Sequence, residues 1–423
     1  MPSPPSADPG RSDDCRREPG CRACGSAALE VVLDFGEVPL PEVLLTEERR
    51  DDPVIAFPLR LAVCEDCSLV QLTDTVSPEI LYGGDYPYFS SVVQTLVDHF
   101  GASAGRLMRD RRLGPDSLVV EAASNDGCML GFFAREGIPV LGIDPARGPA
   151  EVAERAGVPT IVDFFDLRRA RMLREEGRLA DVLLGNNVLN LAGDLGDFAQ
   201  AMSAVMAPDG VAVLEVPYVV ALIDKRAFDN VFHANLSYFS ATALDRLMRR
   251  HGLGLVAVER IPTFGGSLRA TIARDAVPGP SAEAILATEA AAGVGSADYY
   301  RDFAARVLEL RDSLTQLLSD LRGQGRTVCA YGAAGGMATT LLGFLGLDDR
   351  TIAFAVDGNP HKQGRYTMGS RLLVSPPERL VTDRPDYALL LAWNYADEIL
   401  AANAEYRRAG GRFIIPIPEP RVI

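Results

Sequence analysis

Residues 117–146 read SLVVEAASNDGCMLGFFAREGIPVLGIDPA, and the order of residue types in them decides the fold. LVVEAAS (118–124) reads as a strand. It runs into a polar turn, Glu121-Ala122-Ala123-Ser124-Asn125-Asp126-Gly127. MLGFFAREG (129–137) then reads as a helix, and PVLGIDPA (139–146) as the next strand. Strand, glycine-containing turn, helix and strand form the opening unit of a doubly wound, mainly parallel sheet. TIVDFFD (160–166), DVLLGNNVL (181–189) and GVAVLEVPY (210–218) follow at intervals that suit helical crossovers.

Such a turn lets backbone N–H groups and small side chains approach a ligand closely. It does not fit G-x-G-x-x-G, because Ala122 and Ser124 occupy glycine positions, so a nicotinamide dinucleotide is disfavoured. Asp144 ends the next strand, where a carboxylate can accept hydrogen bonds from ribose hydroxyls. Asp163 and Asn187 end the two strands after it. Taken singly, each of these groups is equally well read as a helix cap. As an ordered set they point to an adenosine-containing cofactor without a dinucleotide's phosphate chain.

Outward from this block, YGGDYPYFSS (82–91) is an aromatic loop, and the spacing predicts a helix from about Ser90 to Arg109. AVPGPSAEA (276–284) reads as punctuation between domains. A long helix is expected over roughly Ala297 to Arg322. A second α/β series then runs through TVCAYGAAGGM (327–337), TIAFAVDGNP (351–360), PDYALLLAW (385–393) and RFIIPIP (412–418). The expected division is a disordered tail (1–20), a cysteine-bearing module (21–75), a cofactor-binding core (76–275) and a C-terminal Rossmann-like domain (276–423).

The chain has 423 residues and seven cysteines. Cys21-x-x-Cys24 and Cys64-x-x-Cys67 can supply four thiolates to one tetrahedral zinc, a closed and therefore structural shell. An odd cysteine count with no signal-peptide core fits a reducing, cytoplasmic setting. The net charge of −15 argues against a nucleic-acid surface. No run of 18 or more uninterrupted apolar residues argues for a membrane span. A small-molecule ligand on a monomer or weak homo-oligomer is the expectation. In the C-terminal series the Tyr331–Gly336 turn opens a helix, a phosphate-compatible arrangement. Asp357 and Asn359 follow the next strand, and Lys362 and Arg365 add local positive charge. Two readings stand there, a nucleotide-sugar clamp and an inert Rossmann-like support.

The chain resembles the sugar C-methyltransferases of deoxysugar and antibiotic biosynthesis. The resemblance runs from Cys21 to Ile423 and is carried by ordered motifs. They are CxxC…CxxC, YPYFSS, E-x-x-S-N-D-G, EVPY (215–218), FDNVFHANLSYFS (228–240), FGGSLR (264–269), YGAAGG (331–336), DGNPHKQGRY (357–366), LAWNYADEI (391–399) and PIPEP (416–420). It implies a zinc-binding domain, a class I methyltransferase core using S-adenosylmethionine, and a Rossmann-like C-terminal domain. The implied substrate is a nucleotide-linked keto sugar, methylated at a carbon made acidic by the neighbouring carbonyl. On this resemblance, Tyr88, Ser90, Glu121, Ser124, Asn125, Asp126, Gly127, Asp144, Pro145, Asp163 and Asn187 are cofactor contacts. Tyr86, Tyr218, Tyr238, Ser267, Arg269, Tyr331, Asp357, Asn359, Lys362 and Arg365 are substrate contacts. Tyr88, His233 and Asn235 are the candidate catalytic groups.

The central motif departs from the family's Tyr-His-Glu-His. It reads Phe232-His233-Ala234-Asn235, so only His233 keeps an ionisable ring. Phe264 stands where a histidine is usual, and Gly336 where a lysine is usual. His233 is read as either a functional or a packed structural imidazole. Of the other histidines, His251 is expected to cap a helix C-terminus, His361 to lie beside Lys362, and His99 to flank the helix leading into the core. Three functional classes follow. They are methyl transfer to carbon (alternatively oxygen or nitrogen), a retained cofactor with non-methylating chemistry such as rearrangement, elimination or isomerisation, and a non-enzymatic relic. The retained SNDG turn, Asp144 and Asn187 speak against the last.

Overall fold

The computed structural model describes residues 14–41, 43–82 and 89–423. Tyr86, Tyr88 and residues 1–13 of the expected tail lie outside the described residues.

The central sheet has seven strands in the order Leu253–Ile261, Ser267–Arg274, Met206–Pro217, Ala180–Asn186, Val119–Ala122, Val140–Ile143 and Thr160–Ile161. The last five pair in parallel, and the Leu253–Arg274 hairpin adds an antiparallel edge. This is the doubly wound, mainly parallel arrangement expected from residues 117–218. The chain order reverses between Val119–Ala122 and Ala180–Asn186, and ligands in such sheets bind beyond the carboxyl ends at that switch point. The strands are near-continuous apolar runs because both faces are covered by helices.

The cysteine module is an antiparallel sheet of Leu29–Pro39, Ala56–Cys64 and Val70–Leu72, to which the core contributes Ser237–Tyr238 as a fourth strand. A second parallel sheet, Val374–Ser375, Ala355–Val356, Val328–Tyr331, Tyr387–Leu390 and Arg412–Ile415, ends in the antiparallel strand Arg421–Val422. One continuous apolar core contains residues of all three parts. At its centre Phe35 of the module, Phe228 of the core and Phe344 of the C-terminal domain meet, with ring centroids 5.0–6.2 Å apart.

The helices fall close to expectation, at Gln94–Arg111 and Ala297–Gly323. One expectation is corrected. Residues 14–20 do not belong to a disordered tail: Cys15–Arg17 pairs antiparallel with Asp74–Val76, and the Glu18 N–H donates to the Thr73 carbonyl. The pairing partner lies about sixty residues away, so no local pattern signals it. The stretch read as punctuation, 276–284, leads into a helix at Pro280. Pro280–Ala292 packs on the core, with the Glu289 carboxylate accepting from the Ala241 and Thr242 N–H groups at 2.8 Å. Proline at the first helical position starts a helix as readily as it ends a domain. Among the described residues no helix is long and apolar enough to cross a membrane.

Candidate functional site

The four paired cysteines converge, with their sulfurs all within 4.8 Å of one another. Cys21 and Cys67 sulfurs are 3.4 Å apart, and Cys24 and Cys64 sulfurs 3.6 Å. A tetrahedron with Zn–S bonds of about 2.3 Å has edges on the order of 3.8 Å, so the donor set fits zinc. Both knuckles use one turn: Gly25 N–H donates to the Cys21 carbonyl and Ser68 N–H to the Cys64 carbonyl, each at 2.8 Å, with Gly25 and Ser68 left-handed. With four thiolates the shell is closed, so the metal is structural.

The turn after Val119–Ala122 holds Ala123, Asn125 and Gly127 at positive φ, which aims its backbone across the sheet's carboxyl edge. Asp144 braces it, accepting from the Asn125 and Ala146 N–H groups at 2.8 Å. The Asn125 side chain accepts from Ser90 N–H at 2.9 Å, and Asp126 from Ser91 N–H at 3.0 Å. Pro145 lies exposed just beyond Asp144. Gly142 is required beside the turn, because a Cβ there would lie 2.4 Å from Ser124 Oγ.

Five buried side-chain oxygens at this edge have no partner among the described residues: Glu121 Oε2, Ser124 Oγ, Asp126 Oδ1, Asn187 Oδ1 and Asn190 Oδ1. All can accept a hydrogen bond, so the edge suits a ligand rich in donors and positive charge. An ammonium, a sulfonium and ribose hydroxyls are such groups, and the residues present fit S-adenosylmethionine.

Glu121 accepts from Asn186 Nδ2 at 2.8 Å. Burial, and to a smaller extent the charges of Asp144, Asp126 and Glu215, push its carboxyl up to about 8. The protein without cofactor therefore holds Glu121 protonated near pH 7, while the unfolded chain holds it ionised. The folded state binds the extra proton between the unfolded value near 4.5 and about 8, so this group's contribution to stability falls as pH rises through that window. Glu121→Gln is expected to flatten that slope, which thermal melts at pH 5, 7 and 9 would measure. An unchanged slope would mean that Glu121 does not titrate there.

Other expected ligand groups carry bonds within the protein. Asp163 is engaged by Arg168 at 2.7 Å and Arg169 at 3.0 Å, an arrangement that follows from the helix starting at Leu167. Tyr218 is buried, with its hydroxyl 3.3 Å from Arg260 Nη2. Tyr238 and Ser267 are buried and donate to the Asn230 and Thr263 carbonyls, at 3.3 and 3.0 Å. His233 is 2% exposed and turns towards the zinc module, with Nε2 3.1 Å from the Phe57 carbonyl. Burial holds it below the ordinary imidazole range, in spite of that bond. One ring nitrogen of His233 is thus bonded to a strand from another part of the chain, while Nδ1 is buried with no partner among the described residues. Asn235 does face the cofactor edge, accepting from Asn190 Nδ2 at 2.9 Å.

Phe232 and Gly336, two departures from the family pattern, face one another: a Cβ at 336 would lie 3.3 Å from three Phe232 ring atoms. Lys362 reaches the 331–336 turn, donating to the Ala334 carbonyl at 3.1 Å. Tyr331 is buried, with its hydroxyl 3.5 Å from Asn403 Nδ2, and Arg365 is exposed. Asp357 accepts from Asn359 N–H at 2.9 Å, closing the neighbouring loop.

Sequence reasoning missed two buried couples. Trp393 Nε1 donates to Asp229 at 2.7 Å, joining the C-terminal domain to the core. His99 meets Glu215 and Arg269. EVPY and FGGSLR carry Glu215 and Arg269 in plain sight, but no spacing rule joins them to His99.

Three family models match in sequence: "Putative zinc binding domain" over residues 21–82, "Methyltransferase domain" over 102–258 and "C-methyltransferase C-terminal domain" over 262–418. The C-methyltransferase NovU of Streptomyces niveus is 37% identical over 406 residues, covering 95% of this chain and 96% of that protein. Solved structures with partial likeness include magnesium protoporphyrin IX methyltransferase of Synechocystis with bound S-adenosylhomocysteine. It is 16% identical, covers 42% of this chain and 82% of that one, and has a TM-score of 0.34. An S-adenosylmethionine-dependent methyltransferase of Clostridium acetobutylicum is 9% identical, covers 43% and 92%, and has a TM-score of 0.34.

Proposed function

This chain belongs to the C-methyltransferase family, and from that premise we propose that it methylates a carbon of a nucleotide-linked deoxysugar within a natural-product pathway. The observation that carries the cofactor half is the row of unpartnered buried acceptors at the sheet's carboxyl edge. Bound S-adenosylmethionine supplies an electrophilic methyl group. Glu121, Asp126 and Asn187 would receive its donors, Asp144 would receive the ribose, and Ser90 and Asn125 would hold the turn against it. Lys362 and the 331–336 turn would meet the substrate's phosphates, and Asn235 would meet its sugar. The zinc thiolates suit a reducing compartment, and the cytoplasm is where such a nucleotide sugar would be encountered.

The altered motif supports a second reading. Phe232, Ala234 and Asn235 supply no base, which favours an acceptor such as oxygen or nitrogen, or a step other than methylation.

Calorimetric titration should show binding of S-adenosylmethionine, weakened in Asp144→Ala by roughly 1.5–3 kcal/mol, the cost of losing a hydrogen bond to a charged group. Incubation with a nucleoside-diphosphate-linked 4-keto-6-deoxyhexose should yield S-adenosylhomocysteine and a new carbon–methyl bond. Binding of NADH with none of the methionine cofactor would sink the assignment. A methyl group found on oxygen or nitrogen would put the second reading first.

A further inference from the structure

The loss of the motif's basic groups leaves open which residue takes a proton, and the histidines narrow the choice. His233 has Nε2 on the Phe57 carbonyl and a buried, unpartnered Nδ1, with no carboxylate bonded to its ring among the described residues; His251 follows the last turn of Ala241–Arg250, and His361 is exposed in the C-terminal domain. His99 is different. Its Nε2 lies 3.0 and 2.9 Å from the two oxygens of Glu215. Arg269 donates Nε to the same carboxylate at 2.7 Å from the antiparallel neighbouring strand.

Arg269 Nη2 also lies 3.1 Å from His99 Nε2. One ring nitrogen cannot donate to the carboxylate and accept from the guanidinium together. Both carboxylate oxygens lie within 3.0 Å and Arg269 is already bound to Glu215, so Nε2 carries the proton and donates. The lone pair is then on Nδ1. Burial alone would raise the Glu215 carboxyl, but the His99 bond and the Arg269 charge outweigh it and hold it below its usual range. An imidazole fixed through one N–H by an ionised carboxylate is the base-and-orienter half of a general-base unit.

Its place suits that role. Glu215 is in register with Asn186, whose amide holds Glu121, and its carbonyl accepts from Asn187 N–H at 2.8 Å. The His99 helix begins just after Ser90 and Ser91, which bond the cofactor turn. The other charges around it among the described residues include Glu121, which feels the charge of Glu215, Glu259, 3.8 Å from Arg269, Arg106, which bonds Glu259, and Asp98 on its own helix.

We propose that His99 is the acid–base group of this site, with Glu215 and Arg269 as positioning residues. This rests on the methyl-transfer reading above. In the step, a proton leaves an acceptor carbon beside a carbonyl, or a hydroxyl, for His99 Nδ1. The electron pair left behind forms the bond to the methyl carbon, while the sulfur–carbon pair goes to sulfur. The imidazolium is stabilised by Glu215 and returns its proton to water.

Only four histidines occur in the chain, so imidazole NMR on the full-length zinc-loaded protein is tractable, with the signal missing from His99→Gln assigning His99. S-adenosylmethionine carries one more positive charge, at sulfur, than S-adenosylhomocysteine. The His99 midpoint should lie at least about one pH unit lower with the former than with the latter, because a base within reach of the methyl acceptor lies within roughly 7 Å of the sulfur charge, at an effective dielectric near 20. The other three should move less. Nitrogen shifts should show the proton on Nε2, and Glu215→Gln should erase that preference. Equal midpoints with both cofactors bound, or a proton on Nδ1, would overturn the role of His99 and leave methyl transfer standing. Failure of either cofactor to bind would remove both.

Discussion

Cys64→Ser will strip the zinc and unfold the N-terminal module. The side chain is fully buried at the end of Ala56–Cys64, packed in the same cluster as Leu61, Val63 and Leu69. A structural zinc with thiolate ligands contributes about 10–16 kcal/mol in small finger peptides near neutral pH, so losing one ligand removes a large part of what holds a module of this size. Elemental analysis should fall from about one zinc per chain towards none, and limited proteolysis should cut first within residues 21–75. The damage should spread, because Ser237–Tyr238 completes the module's sheet and His233 bonds its Phe57 carbonyl. Cys329→Ser is the control. That thiol is also buried but belongs to no cluster of thiols among the described residues, so its replacement should cost no more than the ~1–3 kcal/mol of an ordinary core change. A zinc-free Cys64→Ser protein with an unchanged melt would refute the assignment.

Phe228→Ala should be the most damaging single apolar truncation in the core. Its ring is completely buried and touches Phe35 of the module and Phe344 of the C-terminal domain. Phe→Ala in a packed core typically costs about 3–5 kcal/mol, from lost transfer energy and the cavity left behind. Here the cavity lies where three parts of the chain meet, so the denaturation curve should lose cooperativity as well as midpoint. Phe344→Ala combined with Phe228→Ala should cost less than the sum of the two, because the edge-on pair is broken once. Strict additivity would show that the three rings do not act together.

The difference between what could and could not be read in advance follows sequence distance. The Glu121–Gly127 turn was legible because strand, turn and helix are neighbours in the chain, and the CxxC pairs because each knuckle is a four-residue turn. Helix Ala297–Gly323 was legible from its apolar spacing. His233 was not. Its motif names it as the surviving imidazole, yet its direction is set by Phe57, 176 residues away. The pairing of His99 with Glu215 spans 116 residues and was equally silent. Asp163 marked a strand end as expected, but a helix one turn later brought Arg168 and Arg169 onto it.

The sequence by itself therefore determined the elements, their order, the doubly wound sheet, the cysteine cluster and the turn proposed to meet the cofactor. These rest on local periodicity, turn chemistry and thiol spacing, which act over a few residues. Only the tertiary structure decided which polar side chains are already bonded inside the protein and which face a ligand with lone pairs to spare. Buried polar groups must find partners, and in this chain those partners come from strands and helices far apart in sequence.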